Sequence, residues 1–155
     1  MTTILIALST WLHTLATIIM IGYFLFSSLI YLPAFQHSMQ PNALRELLEQ
    51  VSARLRLFFG GSLLIFFVTG TYLMLINDSY LGLGKFFANP WSILMVVKHM
   101  LVLVFLVLAV LSERAYMGKI SEKNPSALKQ FKIALNINTI VGVVILLLTS
   151  FAQAG

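Results

Sequence analysis

Three ionisable side chains fall inside long apolar stretches of this chain: His13, Lys98 and His99. Such groups are costly in hydrocarbon, so each is a candidate for function. Neutral imidazole ligates iron, copper or zinc. With 0 Cys in the chain, thiolate ligands, disulfides and cysteine nucleophiles are excluded. No carboxylate lies near the histidines in sequence, and the further ligands that zinc wants are not found. Two histidines alone match the axial pair of a six-coordinate b-type haem better than a zinc site. Lys98 and His99 are adjacent, so on a helix they point about 100° apart. Lys98 either snorkels to the surface or neutralises an anion such as a haem propionate. Copper is the alternative metal. Met20, Met74, Met95 and Met100 lie in apolar stretches, and thioether suits Cu(I). They are scattered in sequence, which favours methionine as filler. His37, beyond Pro33, reads as a solvated loop histidine.

The elements that hold these residues follow from composition. Of 155 residues, 59% are hydrophobic and 10% charged, and mean hydropathy is +0.95. A soluble domain carries about 25% charge. The length predicts one domain, 1–155. A bilayer core needs about 20 apolar residues per helix. Four stretches qualify, at about 3–32, 57–76, 91–112 and 133–153. The expected fold is all-α: an integral membrane four-helix bundle, up-down-up-down. The alternation of a β-barrel is missing, and no cleavable signal peptide is expected.

Basic residues crowd two loops. Arg45, Arg54 and Arg56 follow the first span; Arg114, Lys119, Lys123, Lys129 and Lys132 follow the third. The loop between spans two and three holds only Lys85. The positive-inside rule then puts both termini outside and the basic loops in the cytoplasm. The net charge of +5 reflects these loops, and no nucleic-acid partner is expected. His13 lies roughly 15 Å along span one, and His99 roughly 12 Å along span three. Both fall at similar depth in the outer half of the membrane. In an up-down bundle these two helices sit on a diagonal, where a flat macrocycle with one histidine on each side has room.

Local signals refine the picture. Asn42 reads as the cap of a helix with Leu44, Leu47, Leu48 and Val51 on one face. Asn124-Pro125 reads as a cap and first helical position running on into span four. Gly82 and Gly84 predict an irregular loop ending near Asn89-Pro90. Asn136 and Asn138 read as helix–helix glue. Gly60-Gly61, Thr69-Gly70 and Gly142 permit close packing.

These pieces resemble the copper resistance D (CopD-like) membrane domain. The similarity lies in Trp11-Leu12-His13-Thr14-Leu15-Ala16, in Ser52-Ala53-Arg54-Leu55-Arg56 with Val68-Thr69-Gly70-Thr71-Tyr72-Leu73, in Trp91 to Val102, and in Leu135-Asn136 through Gly142 to Leu148-Thr149. The same pieces are similar to HemJ-type protoporphyrinogen oxidases. There a histidine in the first span and a lysine in the third are functional, and b-type haem is implicated. By that resemblance His13 and Lys98 occupy those positions. His99 departs from the pattern as a second axial ligand. Span four lacks the arginine and acidic pattern of the oxidases.

The expected function is therefore a haem-b protein of the prokaryotic plasma membrane, with His13 and His99 as ligands and Lys98 at a propionate. It would transfer electrons or serve as a small subunit of a membrane redox complex, and more as a binding protein than as an enzyme on its own. Its partners would be the lipid bilayer and either other redox subunits or a second copy in a homodimer. Copper transport, porphyrinogen oxidation and a cofactor-free structural role are the alternatives.

Overall fold

Each of the 4 prolines stands at the start of a helix. The first helical position has no amide partner to lose, and proline presets its φ. The computed structural model describes residues 2–85, 87–121 and 123–154. α1 (Thr2–Phe26) passes through a π-helical turn (Ser27–Tyr31) into α2 (Leu32–Gln36). α3 spans Pro41–Leu75. α4 (Pro90–Leu111) continues into a second π turn (Ser112–Tyr116) and a 3-10 turn (Met117–Lys119). α5 spans Pro125–Ala154.

Several boundaries differ from expectation. The first helix does not end at Pro33. A π turn precedes it, with the Leu32 amide donating back to the Ser27 carbonyl, and the rod continues to Gln36. Asn42 is not a cap: Gln40 holds that position without a side-chain bond, because Pro41 takes the first helical place. The loop helix and span two then fuse into one rod of 35 residues. At the other junctions the reading held. Asn89 Oδ1 accepts from the Ser92 amide at 2.6 Å, and α5 starts at Pro125. Gly82 takes a φ of 94°, the left-handed conformation that favours glycine.

The fold is all-α, with four helices long and apolar enough to cross a membrane: Thr3–Gln36, Pro41–Leu75, Pro90–Lys119 and Pro125–Ala152. Exposed Leu57, Phe58, Ile140 and Leu147 present apolar side chains outward, as lipid requires. The protein is integral to the membrane. Neighbouring helices run antiparallel. His13, early in α1, meets Thr69, late in α3, while Tyr23 meets Ser52. Ser28 meets Thr139 of α5.

α1 and α5 form the interior: 39% of each apolar window is buried, against 11% for α3 and for α4. α3 packs on α1, and α4 on α5. α1 and α4 meet across the diagonal where Phe24 abuts Phe105, ring centroids 5.0 Å apart. α3 and α4 stay apart, and a seam runs between them. Gly142 permits the central crossing, since a Cβ there would lie 2.9 Å from Ile21 Cγ2 and 3.3 Å from Phe105. Thr139 supplies the interhelical glue, with Ser28 Oγ at 2.9 Å and the Phe24 carbonyl at 3.0 Å. Asn138 does not. It is fully buried, and neither side-chain polar atom has a partner among the described residues. Asn136 is exposed. The α5 stripe turns its hydroxyl, rather than either amide, to α1.

Candidate functional site

His13 is held by α3. Its Nδ1 lies 3.1 Å from the Phe66 carbonyl and 3.1 Å from Thr69 Oγ1. A carbonyl only accepts, so Nδ1 carries the proton and donates. Thr69 can accept because its own hydroxyl donates to the Ile65 carbonyl at 2.6 Å. The Nε2 lone pair is left free, which is how a metal-binding imidazole is oriented. The ring also stacks on Phe66, centroids 4.4 Å apart at 22°. Gly70 completes the cradle. A Cβ there would lie 2.9 Å from His13 Cε1 and 3.3 Å from Nδ1.

His99 is held by its own helix. Its Nδ1 lies 2.6 Å from the Met95 carbonyl one turn back, and its Nε2 has no hydrogen-bond partner among the described residues. His99 is exposed, whereas His13 is half-buried.

His13, Lys98 and His99 line one pocket of ≈ 160 Å³ at the end of the bundle where the chain begins and ends. Met74 from α3 and Met95 from α4 line it too, with Trp91 at its edge. Sequence alone brought the two histidines to one depth and named Met74 and Met95 among four intramembrane methionines, without singling out these two. It also missed the supporting trio Phe66, Thr69 and Gly70. His37 lies apart, exposed beside Gln36.

The donors set the chemistry. No group of three or more His, Cys, Asp or Glu able to hold a metal occurs among the described residues. Hard cations and structural zinc lack their ligands here. Two imidazoles and two thioethers suit copper. The volume suits an ion, since pockets for organic ligands occupy ≈ 300–1,000 Å³. Lys98 adds a positive charge. The ion pairs among the described residues, Arg45–Glu49 at 3.5 Å and Arg56–Glu113 at 2.9 Å, both lie at the opposite end and leave it out.

That opposite end, where the basic loops are, holds a second cavity of ≈ 660 Å³ on the same seam. Its walls include Tyr23, Phe24, Ser52, Phe59, Leu106 and Leu135.

The profile of the family described as copper resistance protein D matches residues 49–152, more than half of the chain. The match takes in Met74, Met95, Lys98 and His99, while His13 lies before it. No curated protein and no solved structure matches the chain.

Proposed function

The chain belongs to the copper resistance protein D (CopD) family, and we propose that it binds a copper ion within the membrane and passes it across. The ligands are His13, His99, Met74 and Met95. One observation carries this: α1, α3 and α4 bring two imidazoles, each with its Nδ1 occupied, and two thioethers to one small pocket. Thioether selects Cu(I), and imidazole serves either oxidation state. The positive-inside rule places the pocket in the outer half of the membrane, both termini outside. Copper then enters from the outer face. Lys98 repels the ion and keeps its residence short, as a site that must release its cargo requires. Met20 is buried about 10 Å further along α1 and offers the next thioether inward.

A second reading draws on Lys98 itself. A half-buried cation with no ion pair among the described residues complements a haem propionate, and His13 and His99 would then be axial ligands. Haem b would supply electron transfer, with a redox subunit or a second copy as partner. Against this, ≈ 160 Å³ falls below the range of organic-cofactor pockets. A macrocycle between the histidines requires the pocket to widen between α1 and α4.

A Cu(I) competition titration of the protein in lipid nanodiscs, paired with a reduced-minus-oxidised visible spectrum, separates the readings. One copper per chain, lost in His13→Ala and in Met95→Leu, with a featureless spectrum, is the expected result. Sharp b-type bands lost in both His13→Ala and His99→Ala would replace copper with haem. Neither copper nor bands after expression with ample supplies of both would overturn both readings.

A further inference from the structure

The cavity at the basic end is built for a different kind of ligand from the pocket at the other end. Its ≈ 660 Å³ lies within the range of organic-ligand pockets. Its walls are mostly apolar, and aromatic faces recur in them. Phe24 meets Phe59 edge-on, centroids 6.2 Å apart at 80°. α3 and α4 both line the cavity without packing closely on each other, and the entry that the proposal uses lies between these two membrane helices. A ligand dissolved in the bilayer can enter without crossing water.

The polar groups in the wall narrow the class. Tyr23 OH and Ser52 Oγ stand 3.4 Å apart, and Ser52 Oγ is 3.6 Å from Met117 Sδ. Hydroxyl hydrogen bonds usually close to about 2.7–2.8 Å, and thioether sulfur is a weak acceptor. Ser52 is only 7% exposed. Two sheltered hydroxyls thus hold loose, weak contacts that a carbonyl oxygen could replace with a short one. The charges at the mouth are largely committed. Arg56 pairs with Glu113 at 2.9 Å, and Arg45 with Glu49 at 3.5 Å. Arg114 stands exposed at the rim. An ionic head group at Arg56 or Glu113 would have to compete with that pair, whereas a neutral acceptor would not.

We propose that this cavity binds a membrane-dissolved quinone. Its ring would lie among Phe24, Phe59 and Leu106, one carbonyl would accept from Tyr23 or Ser52, and its apolar tail would leave through the seam. The proposal concerns binding and does not depend on the copper reading, whose ligands lie at the other end of the bundle.

The test is saturation binding of decyl-ubiquinone to the full chain in phosphatidylcholine nanodiscs, with a photoreactive azidoquinone to map the site. The expected result is saturable binding of one quinone per chain above the partition into empty discs. Crosslinks should fall on α3 and α4 residues of the cavity wall. Tyr23→Phe with Ser52→Ala should weaken binding about tenfold, as the loss of a buried hydrogen bond implies. Leu106→Trp, which fills the cavity, should abolish it, and His13→Ala should leave it unchanged. Uptake equal to that of empty discs would overturn the proposal. So would saturable binding unaffected by both cavity variants in protein of unchanged melting temperature. A tightly held phospholipid in the cavity that quinone cannot displace would overturn it too.

Discussion

The two pockets share one seam between α3 and α4 but spend their polar groups in opposite ways. At the end bearing the termini, every orienting bond is made. His13 Nδ1 has partners at 3.1 Å, and His99 Nδ1 has one at 2.6 Å. Both histidines line the same small pocket. At the basic end the hydroxyls of Tyr23 and Ser52 reach only 3.4 Å and 3.6 Å contacts beside a space about four times larger. The first arrangement would be organised before the proposed copper ion arrives. The second leaves donors for a ligand to recruit. The contrast teaches that depth and residue type alone do not define a membrane site; the state of the neighbouring hydrogen bonds does.

That contrast can be broken most sharply at His13. His13→Ala should weaken Cu(I) binding by at least about 100-fold, because losing a ligand costs more than losing the residue that orients it. Competition titration reads this, and an unchanged affinity would remove the aimed lone pair from the site. Gly70→Ala probes the cradle without touching a ligand. Its methyl would meet the His13 ring at 2.9 Å, so affinity should fall about 10- to 100-fold, as for displaced ligand supports. Gly61→Ala, where nothing lies within 4 Å, is the matched control and should bind normally.

Asn138 lies between the two regions, on the same α5 stripe as Phe131 and Leu135 of the larger cavity. A buried amide without partners costs about 1–3 kcal/mol. Asn138→Leu should therefore stabilise the protein by that order, read as a higher melting temperature in detergent. Lower stability would mean that the amide is satisfied by a group not yet identified. Lys98→Gln should tighten Cu(I) binding about fivefold by removing the nearby charge and slow release in stopped flow. Weaker binding would favour an anionic ligand at Lys98. The smallest effect belongs to the basic end. Arg56 and Glu113 are 70% and 36% exposed, so Arg56→Gln should cost at most about 1 kcal/mol, shrinking with added salt.

Much of this was legible in the sequence. Hydropathy marked all four spans, and the placement of His13 and His99 along spans one and three brought them to one pocket. Pro125 marked a helix start, whereas Pro33 did not end the first helix and Asn42 misled because Pro41 precedes it. Which of the four intramembrane methionines share the pocket was not legible. Met74 and Met95 lie 21 positions apart on helices that are apolar on all sides, so periodicity chose no face for either. Thr69-Gly70 signalled close packing, and the structure shows what packs there: the His13 ring. Asn138 looked like glue because amides often bridge membrane helices. Its neighbour Thr139 is the residue turned to α1, and one position on a helix is about 100° of rotation. The seam itself depends on which helices fail to touch, and no local pattern encodes that.

The most direct test of the copper site is X-ray absorption of the Cu(I)-loaded protein in nanodiscs, with Met74→Leu/Met95→Leu as the comparison. A shell containing both imidazole nitrogen and sulfur scatterers, with the sulfur lost in the double variant, is the expected result. A nitrogen- and oxygen-only shell that the double variant leaves unchanged would contradict it.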